Sequence, residues 1–351
     1  MRLAGVRLIP VPMLLLILLA ALALVACGGD DGDDGATGSS GPEPSTASSE
    51  LEPKSLTFMA GFKAQANLPF VGAYVAEEKG FFDELNLTVD IKHAQSGEHL
   101  QLLLAGEIQV ATANAAQVIQ RSSEGLPLVA VALVGQKSEQ GFAVGADSGI
   151  ASVSDWAGKR FGYKGSVPVE FLAIAAANGL DPGDVEQVKV SFDPRVLSEG
   201  QVDILAVFIS NEPGQLERIG YPVKVFDPSE YDIPVLGLTY IASQDGIDKD
   251  PEAIRRFVQA ALKGIAYAAE HPEEALDIVM KYAPQENREQ QEFMLTTELA
   301  RAKTELTEAN GYGWQTAEQW QALADALVEF KVIETEVDVS KVFTTQFAGP
   351  Q

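Results

Sequence analysis

The feature that most constrains the fold of this chain is an alternation of two kinds of segment from residue 55 onward. Residues 56–60 (LTFMA) predict a strand, and residues 69–79 predict a helix that ends at Gly80. The alternation continues to about residue 242, after which residues 251–330 read as helical. Repeated βα units predict mainly parallel sheets covered by helices on both faces.

Two blocks of such units followed by a helical tail predict an α/β fold with two lobes. We expect residues 55–145 and 237–351 to form the first lobe, and residues 146–236 to form the second. Crossover strands around residues 141–149 and 231–243 would then hinge the lobes. Each lobe would be a mainly parallel sheet flanked by helices.

The amino-terminal residues predict export and a lipid anchor. Two arginines precede an apolar run that ends in LVAC at Cys27. A cationic start, an apolar core and a small-residue cleavage site are typical of a signal peptide, and LVAC resembles a bacterial lipobox. A transmembrane anchor is the alternative, but a spanning helix needs ~20 apolar residues, and Pro10 and Pro12 interrupt the run. We therefore expect residues 1–26 to be removed and Cys27 to carry lipid, such as palmitate, at the extracytoplasmic face of the cell membrane.

Composition excludes several other classes. Residues 28–54 are polar and predict a disordered tether. Cys27 is the only cysteine, so the exported domain has no disulfide and no thiol nucleophile. The chain has 25 Lys+Arg against 50 Asp+Glu. Such an acidic surface repels phosphate backbones, so we expect no nucleic-acid partner. The three histidines have no metal-ligand spacing, so we expect no metal site.

Several segments carry a resemblance to a known family. They are YVAEEKGFF at 74–82, LLAGEIQV at 103–110, DWAGKRFG at 155–162 and FDP at 192–194. The chain resembles the solute-binding proteins of ABC importers in the nitrate/taurine and thiamine-pyrimidine-precursor group. The segments NLPF at 67–70, GYKGS at 162–166 and NEP at 211–213 favour its riboflavin-binding branch. The resemblance implies a type II periplasmic-binding-protein-like fold, a ligand held between the lobes, and a cognate ABC permease and ATPase as partners.

Candidate ligand contacts follow the predicted strands, because ligands of open α/β sheets bind beyond the carboxyl ends of the strands. Phe70 and Tyr74 are four residues apart and share one helix face, where they could stack on a flat ring. Core packing is the alternative for Phe70. Asn67 would be a polar contact. Asn114 either lies beside free amide donors that bind the ligand or simply caps a helix, and Gln136 lies either at the cleft rim or in a surface turn.

The second block supplies further candidates. Tyr163 could form a second stacking wall. Asn211 and Glu212 follow the predicted strand 202–209, and Glu212 could accept two N–H bonds from an imide or aminopyrimidine edge. The matching acid in pyrimidine-binding relatives is implied to be a ligand contact, whereas a solvated loop charge is the alternative. Tyr240, at the return crossover, could also face the cleft.

These observations predict a monomeric binding protein that captures a planar aromatic heterocycle, needs no cofactor and is not an enzyme. Riboflavin is the first choice of transported ligand, and a thiamine pyrimidine precursor is the alternative. Relatives that synthesise the thiamine pyrimidine use a cysteine-rich stretch and a reacting histidine. Here the only cysteine is Cys27, and the matched cleft segments contain no histidine. A structural adhesin or sensor lipoprotein would keep the lobes but lack the importer.

Overall fold

The computed structural model describes residues 51–95 and 97–348. Cys27, the predicted signal peptide and nearly all of the predicted tether therefore lie outside the described residues. The described elements belong to one unit, Glu50–Gln351. The first block of this unit contains β1 (Lys54–Ala60), α1 (Leu68–Glu78), α2 (Phe81–Glu84), β2 (Leu87–His93), α3 (His99–Leu104), β3 (Val110–Asn114), α4 (Ala115–Ser123) and β4 (Leu128–Leu133).

The second block follows a six-residue connection. It contains β5 (Gln140–Gly145), β6 (Arg160–Tyr163), α5 (Val169–Ala177), β7 (Glu186–Lys189), α6 (Arg195–Ser198), β8 (Ile204–Phe208), α7 (Glu212–Arg218) and β9 (Val223–Phe226). The chain then returns through β10 (Leu238–Ser243), α8 (Gln244–Lys249), α9 (Pro251–Glu270), α10 (Pro272–Tyr282), α11 (Arg288–Ala302), α12 (Glu305–Asn310) and α13 (Ala317–Glu329).

The strands form two sheets with the same topology. Sheet 1 has the order β2-β1-β3-β10-β4, and sheet 2 has the order β7-β6-β8-β5-β9. In sheet 1 only β10 runs against its neighbours, and in sheet 2 only β5 does so. Each reversed strand is the one by which the chain enters from the other lobe. The predicted two-lobed α/β fold with mainly parallel sheets is therefore confirmed.

The lobe boundaries predicted from the sequence assign one strand, β5, to the wrong lobe. The boundary at residue 145 would leave β5 in the first lobe, but β5 pairs with β8 and β9 of sheet 2. The first connection between the lobes is therefore residues 134–139 rather than 141–149. The second connection, residues 227–237, precedes β10.

Each sheet is buried by helices on both faces. Against one face of sheet 1, α1 packs on α9, and the rings of Phe58, Tyr240 and Phe257 meet edge to face or tilted, 5.0–5.8 Å apart. Trp320 of α13 lies in the core on the other face. In lobe 2, Trp156 and Phe171 belong to a separate buried aromatic cluster. Each such buried side chain stabilises the fold by ~1.5–3 kcal/mol relative to exposure. Within the described residues, no helix has the length and apolarity needed to cross a bilayer.

Candidate functional site

A small cavity lies between the lobes, beyond the carboxyl ends of β1 and β8. Its volume is about 20 Å³, enough for one water molecule, whereas ligand pockets usually measure ~300–1,000 Å³. A heterocycle can therefore enter only if the lobes move apart or side chains move. Its lining includes Leu68, Pro69, Glu139, Ser210, Glu298 and Arg301.

A larger groove of about 670 Å³ lies elsewhere on lobe 1. Ser55 and Thr57 at the start of β1, and Thr88 at the start of β2, line it. It is therefore at the amino ends of the parallel strands. Because ligands of such sheets bind beyond the carboxyl ends, the inter-lobe cavity is the better candidate despite its smaller volume.

Helix α11 joins the two lobes across this cavity. The buried carboxyl of Glu298 accepts hydrogen bonds from the backbone N–H of Leu68 (2.5 Å) and the side-chain amide of Asn67 (2.6 Å), both in lobe 1. The same carboxyl accepts a hydrogen bond from the hydroxyl of Ser210 in lobe 2 (3.0 Å). Burial raises the pKa of Glu298, and these three donors oppose that effect. One side chain of α11 thus contacts both lobes at the cavity wall.

Arg301, one turn further along α11, bonds to both connections between the lobes. Its guanidinium pairs with Asp227 and donates to the carbonyl of Ser138 (2.5 Å). Burial tends to raise the pKa of Asp227, but the hydrogen bond and charge of Arg301 outweigh it, so that pKa is lowered. The Nε atom of Arg301 is buried and has no hydrogen-bond partner within the described residues. The ion pair with Asp227 nevertheless balances the charge of the guanidinium.

Glu139 inserts its carboxyl between the two connections that hinge the lobes. Its Oε1 accepts the backbone N–H of Leu238 (2.6 Å). A Cβ added to Gly135 or Gly237 would lie 2.5 Å or 2.3 Å from this oxygen, so only glycine leaves room for it. Burial, and next the charge of Glu298, raise the pKa of Glu139 to about 8. The hinge thus contains a carboxyl group that is mostly protonated at neutral pH.

Three predicted aromatic contacts lie in the lobe 1 core instead of facing the cavity. Phe70 is buried among apolar residues, which was the alternative for this residue. Tyr74 stacks on Tyr282 with ring centroids 4.1 Å apart, and its hydroxyl lies 3.0 Å from Nε2 of His93. Tyr240 is fully buried and donates to the carbonyl of Pro69 (2.5 Å). Their ring faces are covered because α1 and β10 present these residues to α9 and α10.

The predicted polar contacts of lobe 1 are also engaged within the protein. Asn67 bonds to Glu298, as described above. The exposed Asn114 caps α4 by accepting the N–H of Gln117 (2.8 Å), which was the alternative for this residue. Gln136 is buried and donates to the carbonyls of Leu133 and Trp314 (2.9 and 2.8 Å), so it joins the first connection to the tail and does not lie in a surface turn.

The predicted contacts of lobe 2 lie together at the carboxyl ends of β6 and β8. Tyr163 is half-buried and ends β6. Glu212 is buried, pairs with Lys164 and accepts the N–H of Phe208 (2.7 Å), so it is not a solvated loop charge. The side-chain oxygen of Asn211 accepts from Gln215 (2.7 Å). A ligand could reach the Glu212 carboxylate by displacing Lys164.

Three phenylalanines at strand ends were missed by the sequence reasoning. Phe62 follows β1, Phe192 follows β7 and Phe208 ends β8, and their exposed fractions are 48%, 77% and 41%. Lys164 lies 5.9 Å from the ring centroid of Phe192. The sequence signal available was an aromatic residue at or just after the carboxyl end of a strand. A second missed feature was the set of polar residues that α11 buries together with Met294 and Leu295, namely Gln290, Gln291 and Glu298.

Comparisons with known proteins were consistent with this geometry. Residues 67–275 match the family described as NMT1/THI5 like. The riboflavin-binding protein RibY of Chloroflexus aurantiacus is 26% identical over 292 residues, which cover 80% of this chain and 83% of that protein. The formylaminopyrimidine-binding protein of Halalkalibacterium halodurans is 27% identical over 314 residues, covering 86% and 93% respectively.

A solved structure shares the fold. The periplasmic aliphatic sulphonate binding protein SsuA from Escherichia coli superposes with a TM-score of 0.66 and 17% identity, over 83% of this chain and 92% of that chain. The resemblance predicted from the sequence is thus confirmed at the level of the family. The chain belongs to the NMT1/THI5-like family, and its two lobes have the fold of the extracytoplasmic solute-binding proteins of ABC importers.

Proposed function

We propose that this protein captures a planar aromatic heterocycle between its lobes and delivers it to a cognate ABC permease, with riboflavin as the transported ligand. The observation that carries the proposal is the set of exposed phenylalanines, Phe62, Phe192 and Phe208, at the strand ends on the cleft side. Aromatic side chains are a usual lining of small-molecule sites, where they cover most of the ligand surface. The relative named for riboflavin supports the choice of ligand.

The contact set follows from this proposal. Phe192 and Phe208 of lobe 2 and Phe62 of lobe 1 would stack on the ring system, at ~1–3 kcal/mol per stacked ring by analogy with base stacking. Lys164 and Glu212 lie beside Phe192 and Phe208 and would contact the polar edge of the ring. Binding and release, without a covalent step, need no more than these contacts and hinge motion.

A thiamine pyrimidine precursor is the second candidate ligand. The inter-lobe cavity of about 20 Å³ favours it, because a single ring requires less opening of the lobes than a tricycle with a ribityl chain. The relative named for formylaminopyrimidine, which aligns over 93% of its length, also supports this alternative.

A fluorescence titration separates the two ligands. The protein should quench riboflavin fluorescence on binding, with a dissociation constant between ~1 nM and ~1 μM. Alanine at Phe192 or Phe208 should weaken binding about 5- to 100-fold if each ring stacks on the ligand. Ile219→Ala is the matched control, since Ile219 is an exposed apolar residue of lobe 2 (56%) at the end of α7, away from the strand ends.

Three outcomes decide the proposal. Quenching that is lost in the phenylalanine variants but retained in Ile219→Ala supports riboflavin capture by stacking. A thermal shift with formylaminopyrimidine and none with riboflavin would transfer the assignment to the pyrimidine. Equal affinities in all variants would remove Phe192 and Phe208 from the site.

We also propose that Cys27 is diacylated and holds the protein at the extracytoplasmic face of the cell membrane, where the permease is reached by a tethered monomer. The support is the LVAC segment that ends at Cys27 and the absence of any other cysteine. Stable attachment requires two signals such as two acyl chains, because one chain gives only marginal binding.

A further inference from the structure

The carboxyl of Glu298, a residue of α11, lies at the amino terminus of α1. Asn67 is the N-cap of α1, but its side chain makes no capping bond, and the first turn of α1 contains no acidic residue. Glu298 instead accepts the N–H of Leu68, the first residue of α1, from a position 230 residues away in the chain. It therefore supplies the negative charge that a helix amino terminus favours.

The hydrogen-bond pattern fits the charged form of Glu298. Oε2 accepts a backbone N–H, and Oε1 accepts the amide of Asn67 and the hydroxyl of Ser210. The orientation of the Asn67 amide is fixed because its oxygen accepts from Gln65 (2.5 Å). A protonated carboxyl would direct its O–H at the Leu68 N–H or the Asn67 amide, or would require the Ser210 hydroxyl to accept instead of donate. Burial raises the pKa of Glu298 and disfavours its charge, whereas the hydrogen bonds from Leu68, Asn67 and Ser210 and the charge of Arg301 favour it.

The carboxylate of Glu298 occupies a place where the anionic group of a ligand would otherwise bind. It follows the carboxyl end of β1, lines the inter-lobe cavity and meets the free amide of a helix amino terminus. The carboxyl of Glu139 and the exposed side chain of Lys137 also line this cavity, but Glu139, with its pKa raised to about 8, adds little negative charge at neutral pH. The charge of Arg301 is paired with Asp227. A ligand anion ~5 Å from a charged Glu298 would be repelled enough to weaken binding by roughly 300-fold at an effective dielectric constant near 20.

We infer that Glu298 is a specificity-determining residue: it acts as a built-in anion that excludes sulfonates and carboxylates from the cleft and leaves it to neutral or cationic heterocycles. This inference rests on the proposed function for the location of the site. The fold as such does not exclude anions, since the Escherichia coli neighbour is named for binding aliphatic sulphonates.

The test uses methanesulfonate as the probe and the full chain purified in detergent. The wild type should show no calorimetric binding of methanesulfonate at millimolar concentration. Glu298→Gln keeps an oxygen for the Leu68 N–H but removes the charge, and it should bind methanesulfonate at least tenfold more tightly than the wild type. Glu217→Gln is the matched control, because it makes the same charge change on the exposed side of α7 and should leave methanesulfonate binding undetected.

Two results would overturn the inference. One is a folded Glu298→Gln variant, verified by its circular dichroism and melting curve, with no gain in methanesulfonate affinity. The other needs no variant: methanesulfonate binding by the wild type in competition with riboflavin. Because the probe is not riboflavin, a failure of the riboflavin proposal appears separately, as a wild type that binds neither heterocycle.

Discussion

Replacing Glu139 by glutamine tests the hinge carboxyl directly. Glutamine keeps an oxygen that can accept the N–H of Leu238 and keeps nearly the same volume between Gly135 and Gly237. It removes only the ability to ionise. The charged and titratable groups around the hinge are Glu298 and Arg301 of α11 and Asp227 of the second connection. Glu170 of α5, which accepts from Ser138 (2.7 Å), and the exposed Lys137 complete the set.

The sign and size of the effect follow from the pKa of Glu139. That pKa is raised from 4.5 to about 8 in the folded protein, first by burial and then by the charge of Glu298. The folded chain therefore binds more protons than the unfolded chain between these two values. The stabilisation from the protonated carboxyl is complete below pH 4.5 and is lost progressively as the pH rises to about 8. At ~1.4 kcal/mol per pH unit, the total loss approaches roughly 5 kcal/mol.

The assay is urea denaturation of the full chain at several pH values between 5 and 9. The free energy of unfolding of the wild type, relative to that of Glu139→Gln, should fall as the pH rises and become constant above about pH 8. Taking the difference between the two proteins cancels the contribution of Glu170, whose pKa burial also raises. Glu217→Gln, an exposed substitution of the same kind, should follow the wild type at every pH.

Parallel pH profiles for the wild type and Glu139→Gln would refute this account. They would mean that Glu139 has the same pKa in the folded and unfolded chains, so that water reaches its carboxyl. A difference that instead grows with pH would show that the charged form is the stabilised one, for example through Arg301.

Three further predictions concern the anchor, a buried ion pair and a helix cap. Cells grown with an alkyne-labelled fatty acid should label the wild-type protein but not Cys27→Ala, and equal labelling would remove Cys27 as the acylated residue. Arg301→Met should lower the free energy of unfolding by ~3–5 kcal/mol because Asp227 is left buried without its partner. Adding Asp227→Asn should recover part of that loss in urea denaturation, and no recovery would show that the two charges are not coupled. Thr316→Ala removes the hydroxyl that accepts the backbone N–H of Gln319 in the capping box and should cost ~1 kcal/mol, seen as a melting temperature lower by a few degrees; an unchanged melting temperature would contradict this.

Much of the fold could be predicted because it is encoded locally. The strand β1, Lys54–Ala60, and the helix α1, Leu68–Glu78, lie within two residues of their predicted bounds, and α9 to α13 lie within the stretch 251–330 predicted to be helical. The strand β5, Gln140–Gly145, was expected as a crossover around residues 141–149, but it lies inside sheet 2, and two glycines interrupt its apolar pattern. Those glycines are required by close neighbours: a Cβ at Gly141 would lie 2.6 Å from Ile209. This constraint comes from another strand and has no local signal.

The candidate site was predicted less well, for the same physical reason. Helical spacing correctly puts Phe70 and Tyr74 near one another, but spacing cannot tell which element covers that face. In the folded chain α1 packs on α9 and α10, so the face that was expected to meet a ligand meets Tyr282 and His93 instead. The exposed rings are those of Phe62, Phe192 and Phe208, for which no helical face was available to cover them.

The sequence by itself determined the family, the alternation of strands and helices, and the expectation of an exported, lipid-anchored chain, since all of these depend on residues that are close together in the chain. Only the tertiary structure decided which polar groups meet between the lobes. Glu298 reaches Asn67 and Leu68 across more than 200 residues, and Glu139 meets Leu238 across 99. Such contacts form when the return of the chain through β10 and α11 brings the two lobes together. Burial and the charges of distant residues then set the pKa of each group. Neither of these can be read from a local sequence pattern.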